Sequence, residues 1–248
     1  MCLIVFAWRP GHAQPLVVAA NRDEFYARPS QPLAPWQDYP GVYAGRDLEA
    51  GGTWLGVGPH GRFAALTNIR NPGQPLGARS RGELVAQFLC GDASAEQYLA
   101  EVARRSADYS GFNLLVGSSQ QLGYLNSARP SPRLLGEGVY GVSNAMLDTP
   151  WPKLRKARAA LQEQLHDPRP EGLLAMLGDA QTAPEAELPD TGVGLATESL
   201  LSSVFIASQS YGTRASTVLI VNADGSRRMV ERSFAPYGGH LGEVDLEL

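Results

Sequence analysis

Cys2 and the run Asn21-Arg22-Asp23-Glu24 are the residues of this chain whose types and spacing could do chemistry. Met before a small residue is commonly removed, and a Cys exposed in that way carries a thiol and a free α-amine on one residue. That amine has an ordinary pKa of about 7.7 to 8.0, so it can serve as base for its own thiol. A carboxylate such as Asp23 could orient the ammonium, and a cation such as Arg22 could favour the thiolate. Two plainer readings stand beside this one: a small, buried, inert Cys2, and a charged loop in which Asn21 and Asp23 make local turn bonds.

The elements that must position these groups decide whether they meet. Residues 2–8, "CLIVFAW", and 15–20, "PLVVAA", are β-prone runs separated by "RPGHAQ", whose Pro and Gly punctuate a turn. Paired residue numbers in an antiparallel hairpin have a constant sum, and a turn centred near His12 makes that sum roughly 24. Cys2 then lies across from about Arg22. Both runs are apolar on successive residues, which predicts a sheet covered on both faces.

Further along, 51–57 and 63–68 read as a second hairpin after a Pro-rich connector from 28 to 40. Ser80 with Glu83 and Ser94 with Gln97 match the capping-box pattern and predict two helix starts. Strands follow at 112–117, 121–126 and 138–144, then a helix over 152–165 opened by a Pro. Residues 167–191 read as a variable surface excursion with one short helical piece. A hairpin of 202–208 and 216–222 comes last, with "GSRRMVERSF" adding an edge strand. Neighbouring strands joined by tight turns predict an α+β fold of largely antiparallel sheets covered by helices, in one domain over 1–248. No GxGxxG opens a helix after a strand, so a dinucleotide fold is excluded.

Composition bounds the partners. With 21 Lys and Arg against 25 Asp and Glu, the net charge is −4, and no clustered basic patch is available for nucleic acid. No window is long and apolar enough for a membrane span, and the N-terminus lacks the pattern of a secretory signal, which predicts a cytoplasmic protein. Two cysteines and four scattered histidines give no metal-ligand spacing, so neither a metal nor a required cofactor is expected.

The "MC" start, "NRDEF", "GGTWLGV", "LTN", "SRG", "GVSN" with "WPK", and "YGTRAST" occur in order over most of the chain. Together they resemble the NRDE-motif family, which includes the transport and Golgi organisation protein 2 homologues. That family in turn resembles the N-terminal-nucleophile hydrolases of the choloylglycine hydrolase and penicillin V acylase type. The resemblance implies a four-layer αββα sandwich and a Cys that attacks an amide carbonyl. Carried over by position, it implies Cys2 as nucleophile, Asp23 as the carboxylate beside the amine, and Asn68 and Asn144 as oxyanion donors. Asn21, Arg22, Glu24, Trp54, Lys153 and Arg214 are candidates for the walls of the same cleft.

Two departures are visible in the sequence. Those hydrolases have an Arg before their "N-x-D" where this chain has Ala20, so Arg22 would have to substitute from the opposite strand face. Their later Arg has Lys153 as its counterpart. Plainer roles are open to the other positions: Asn68 capping a strand end, Asn144 making a turn, Trp54 in the core, Arg214 solvated at a hairpin, and Cys90 buried. The resemblance also implies a second function, a carrier of haem or acyl-coenzyme A in the same cleft. Phosphates of the latter could call on Arg22, Arg70, Arg79 and Arg81. A scaffold without a small ligand is the third reading.

Overall fold

The computed structural model describes residues 2–248 and contains, among them, two antiparallel sheets and five α-helices. The chain divides into two compact units, 1–27 with 70–72 and 137–248, and 28–69 with 73–136. Met1 and its fate lie outside the described residues.

The first unit begins with β1 (Cys2–Trp8) and β2 (Leu16–Phe25), paired antiparallel with Cys2 opposite Arg22 and Trp8 opposite Leu16. The register sum of 24 read from the turn is therefore the observed one. β2 is longer than its apolar run, however, and carries Asn21, Arg22, Asp23 and Glu24 inside the strand. Its hydrogen bonds to strands on both sides hold it extended through the polar stretch.

The second unit contains β3 (Ser30–Pro35), β4 (Tyr43–Asp47), β5 (Leu55–Val57), β6 (Phe63–Asn68), α1 (Gly82–Cys90), α2 (Ala95–Arg104), β7 (Phe112–Gly117), β8 (Leu122–Asn126) and β9 (Arg129–Leu134). These seven strands pair in chain order. Leu84, Val85 and Phe88 of α1 and Leu99 and Val102 of α2 pack on Leu66, Leu114, Val116 and Leu125. The expected connector over 28–40 contains β3, an edge strand whose prolines block further pairing at no cost to the ladder. The strand expected over 51–57 is only three residues long. Gly51 adopts a φ of +76°, and a Cβ on Gly52 would meet the Gly82 backbone at 2.4 Å, so this stretch turns and packs instead of pairing.

The capping box of Ser94 and Gln97 is formed in both directions, at 3.2 and 3.1 Å. The one expected at Ser80 is not: α1 starts after Arg81 with no side-chain cap, and Glu83 instead pairs with Arg79 at 2.6 Å and accepts from the Tyr109 hydroxyl.

The chain then completes the first unit with β10 (Gly138–Val142), α3 (Pro152–Gln164), α4 (Pro170–Leu177), α5 (Leu195–Leu200), β11 (Tyr211–Val221), β12 (Arg227–Phe234) and β13 (His240–Glu247). The sheet order is β10-β1-β2-β11-β12-β13. One face buries Leu3, Val5, Val17, Ala19, Val218 and Val230 against Leu154, Leu161, Leu173 and Leu177 of α3 and α4. Three expectations are corrected here. The 167–191 segment is not simply a surface excursion, because α4 supplies part of this core. Residues 202–208 are buried but irregular: an apolar run of that length reads equally as strand or as packed loop, and here Val204 fills the helix-side core. β12 is also an inner strand, since β13 takes the edge.

Candidate functional site

The site is built at the end of the first unit's sheet, where β1 begins and β2 carries its polar run. Side chains alternate along a strand, so Asn21 and Asp23 share the face of Val17 and Ala19, which is the face under the helices. Cys2 and Arg22, directly paired, share the other face with Ala20. The expectation that Arg22 would have to act from the opposite strand face to position 20 is thus corrected, because residues two apart in a regular strand point the same way.

β11 adds the partners that the sequence did not reveal. A bulge at Arg214 lets Thr213 pair with Asp23 while Ser216 pairs with Asn21, although these residues are three apart on one strand and two apart on the other. The Thr213 hydroxyl donates to Asp23 Oδ1 at 2.8 Å, and the Tyr211 hydroxyl donates to the Asp23 carbonyl at 3.1 Å. Arg214 itself reaches the carbonyls of Phe25 and Tyr26. The alternation of Thr213 and Ser216 in "YGTRAST" was the available signal, but without the bulge it puts them on opposite faces.

Asn21 is 1% exposed and its side chain is occupied. Its amide donates to the carbonyls of Leu177 and Val204 at 2.9 and 2.8 Å, and its oxygen accepts from Ser216 at 2.6 Å. Asn21 therefore ties the end of α4 and the irregular 202–208 segment to the sheet. Glu24 is half-buried and accepts from the backbone of Phe25.

Three ionisable groups are buried around this end of the sheet: Cys2 on one face, and Asp23 at 1% exposure and Lys153 at 2% on the helix side. Burial pushes the Cys2 thiol up, and the Asp23 charge pushes it further; Arg22 and a hydrogen bond from the Asp23 backbone N–H act the other way. Burial also raises the Asp23 carboxyl, opposed first by Lys153. Lys153, in the first turn of α3, is lowered by burial, against the pull of Asp23, Cys2 and Glu198, while Arg70 adds to the lowering. Its Nζ makes no hydrogen bond among the described residues. The Tyr211 hydroxyl is raised by burial and then by Asp23.

Around this core sits a second layer. Arg70 forms a buried ion pair with Glu198, stacks 4.7 Å over the Trp151 ring, and donates from its backbone N–H to the Asn144 carbonyl at 2.8 Å. Glu198 is held in turn by the backbone and hydroxyl of Thr191. Asn144 is buried, with its Oδ1 accepting from Ser143, whose hydroxyl also lies 3.1 Å from the Cys2 carbonyl. Asn144 thus stands beside the Cys2 strand, one residue beyond Ser143.

Asn68 and Trp54 belong to the second unit. Asn68 is the last residue of β6, paired with Phe112, and the Trp54 ring covers Gly45. Cys90, expected to be buried, is half-buried at the end of α1. Three of the four arginines considered for phosphates are engaged: Arg70 with Glu198, Arg79 with Glu83, and Arg81 with the Gly111 carbonyl. Among the described residues no helix is long and apolar enough to cross a membrane, and no three acidic, His or Cys side chains are grouped to hold a metal.

The fold is that of the N-terminal-nucleophile hydrolases. A Caenorhabditis elegans N-acylethanolamine-hydrolyzing acid amidase ortholog aligns with a TM-score of 0.53 and 13% identity, over 90% of this chain and 96% of that one. The C2A mutant of conjugated bile acid hydrolase from Clostridium perfringens aligns with a TM-score of 0.50 and 9% identity, over 100% of this chain and 92% of that one. The chain belongs to the Transport and Golgi organisation 2 family, whose model matches residues 1–236. It is 39% identical to the Transport and Golgi organization protein 2 homolog of Bos taurus, over 94% of this chain and 93% of that protein.

Proposed function

We propose that this chain is a cysteine amidohydrolase or acyltransferase of the N-terminal-nucleophile kind, with Cys2 as nucleophile acting on a C–N amide bond. The observation that supports it best is the burial of three ionisable groups, Cys2, Asp23 and Lys153, at one end of one sheet. Burying ionisable groups costs several kcal/mol each unless they are compensated, and such groups with displaced pKa values concentrate at reactive sites.

In this reading the Cys2 thiol gives its proton to a nearby amine and Sγ bonds to the amide carbon. Asn144 donates to the oxyanion, a contribution worth about 2.7–4 kcal/mol where such donors have been removed. The C–N bond then breaks as the proton passes to the leaving nitrogen, and water or another acceptor cleaves the thioester and restores the thiol. The family resemblance assigns the amine to the α-nitrogen of Cys2 after loss of Met1. Asp23, held by Thr213, orients the resulting cation.

N-Palmitoylethanolamine, a neutral fatty amide, is a suitable probe because one solved neighbour hydrolyses that class. Hydrolysis by the protein and its loss in Cys2→Ala are the expected result. Binding of haemin or palmitoyl-coenzyme A with no amide or thioester turnover would overturn the enzymatic reading and leave a carrier. The engaged arginines weigh against a phosphate-bearing ligand as the resident one.

A further inference from the structure

Two arginines of the sequence blocks, Arg22 of "NRDEF" and Arg214 of "YGTRAST", have no part in the reaction steps above. The strand pairing places both beside the nucleophile. Arg22 is directly paired with Cys2 on one side and with Ala215 on the other, so the three share one face of the sheet. Directly paired residues have Cβ atoms about 4.5–5.5 Å apart, which sets the Arg22 side chain next to the Cys2 thiol.

The bulge in β11 brings in the second guanidinium. Asp23 pairs with Thr213 and Arg22 with Ala215, so Arg214 and Ala215 together stand against Arg22. Arg214 Nη1 donates to the carbonyls of Phe25 and Tyr26 at 2.9 and 3.3 Å, and its guanidinium lies 5.7 Å over the Tyr26 ring. That ring reaches the Cys2 face: a Cβ on Gly212, which pairs with Glu24, would meet the Tyr26 hydroxyl at 2.4 Å, and Glu24 is two residues from Arg22. Burial lowers the Arg214 pKa, and the Arg22 charge lowers it further.

Positive charge exceeds negative in this corner. Arg22 is 5% exposed, the Arg214 acceptors are neutral carbonyls, and Glu24 has one carboxylate oxygen committed to the Phe25 N–H at 2.8 Å. The Tyr26 hydroxyl is buried and makes no hydrogen bond among the described residues. Two guanidinium groups and a phenol donor are a set that a carboxylate satisfies, and hydrogen bonds to an ionised group are the strong ones where water is excluded.

We propose that Arg22 and Arg214 hold a carboxylate on the leaving half of the amide, which makes the substrate an N-acyl amino acid. The inference rests on the amidohydrolase reading above and names its substrate class. Sγ bonds to the acyl carbon, the C–N bond breaks, and the nitrogen takes a proton and departs as the free amino acid. Water then cleaves the thioester to the fatty acid and the thiol. The leaving half is assigned because Arg22 also favours the Cys2 thiolate. A carboxylate that departs with the amine releases the guanidinium before that thiolate is expelled, whereas one fixed to the acyl group would lie against it, like charge beside like.

N-Decanoylglycine and N-decanoylethanolamine differ by a carboxylate in place of a hydroxymethyl group. The ratio of their kcat/KM values therefore isolates the anion and does not depend on how much of a variant is folded. We expect the wild type to favour the glycine amide by roughly tenfold or more, the scale of a charge-assisted hydrogen bond. That preference should vanish in Arg22→Met and in Arg214→Met. Calorimetry on Cys2→Ala protein is the second readout: the glycine amide should bind more tightly by a similar factor, and adding Arg214→Met should remove the difference.

Equal kcat/KM values for the two amides, or a preference that survives both arginine changes, would overturn the proposal. So would faster cleavage of N-decylsuccinamate, whose carboxylate is on the acyl half. Should no amide be cut, the amidohydrolase reading falls and calorimetry still decides the anion site: a carboxylate preference that needs Arg214 upholds it, and equal affinity or no binding refutes it.

Discussion

Replacing Asn21 with Ala should destabilise the protein severely while leaving the chemistry at Cys2 intact in the molecules that remain folded. The side chain makes three buried hydrogen bonds, to the carbonyls of Leu177 and Val204 and from the Ser216 hydroxyl. Its loss strands two carbonyls and one hydroxyl. An unsatisfied buried group costs about 1–3 kcal/mol, and the Ser216 hydroxyl can rotate to relieve part of its share, so the sum is about 3–5 kcal/mol. Asn21→Asp should be at least as damaging, since a carboxylate has no N–H for either carbonyl. Urea unfolding at pH 7, followed by tryptophan fluorescence and far-UV circular dichroism, reads the difference as a lowered midpoint at unchanged slope. A loss below about 1 kcal/mol, by comparison with the 1–3 expected for even one orphaned group, would refute the fastening role given to Asn21.

Arg70→Met or Glu198→Gln alone should cost about 3–5 kcal/mol by leaving a buried charge without its partner, whereas Arg70→Met with Glu198→Leu should cost less than the two single changes added together. Gly45→Val should cost about 1–3 kcal/mol in thermal unfolding, because its Cβ would fall 2.3 Å from the Trp54 ring. Lys153 also gives a pH dependence whose sign is fixed. Its folded pKa lies below its unfolded value, so the folded state gains stability as pH rises through the interval from the lowered value to about 10.4, and loses it as pH falls back. Lys153→Met should be the more stable protein at pH 7, with the advantage shrinking toward pH 10; melting midpoints across that range show the convergence or its absence.

Much of this site could be read from the chain because its first contact is local. The turn centre near His12 fixes the β1–β2 register, and the register alone puts Cys2 opposite Arg22. Ser94 and Gln97 likewise carry their own helix start. Alternation in β2 also settles which face Arg22 takes, once the strand is known to run through the polar residues and not to end before them. What was hidden depends on distant sequence. The bulge at Arg214 decides which residues of β11 face Asn21 and Asp23, and no local signal marks it. The Arg70–Glu198 pair joins residues 128 apart, and Glu198 sits on a six-residue helix whose composition announces nothing. Residues 202–208 look like a strand in sequence because burial, not strand pairing, is what their apolar side chains satisfy.

The central claim is that Cys2 forms a covalent acyl intermediate. Protein quenched in acid during incubation with N-palmitoylethanolamine, then digested and mapped by mass spectrometry, should carry a palmitoyl increment on the peptide containing Cys2. Cys2→Ala should carry none, and the peptide containing Cys90 should stay unmodified in both. A free Cys2 at every time point, with the fatty amide bound but uncut, would contradict the account.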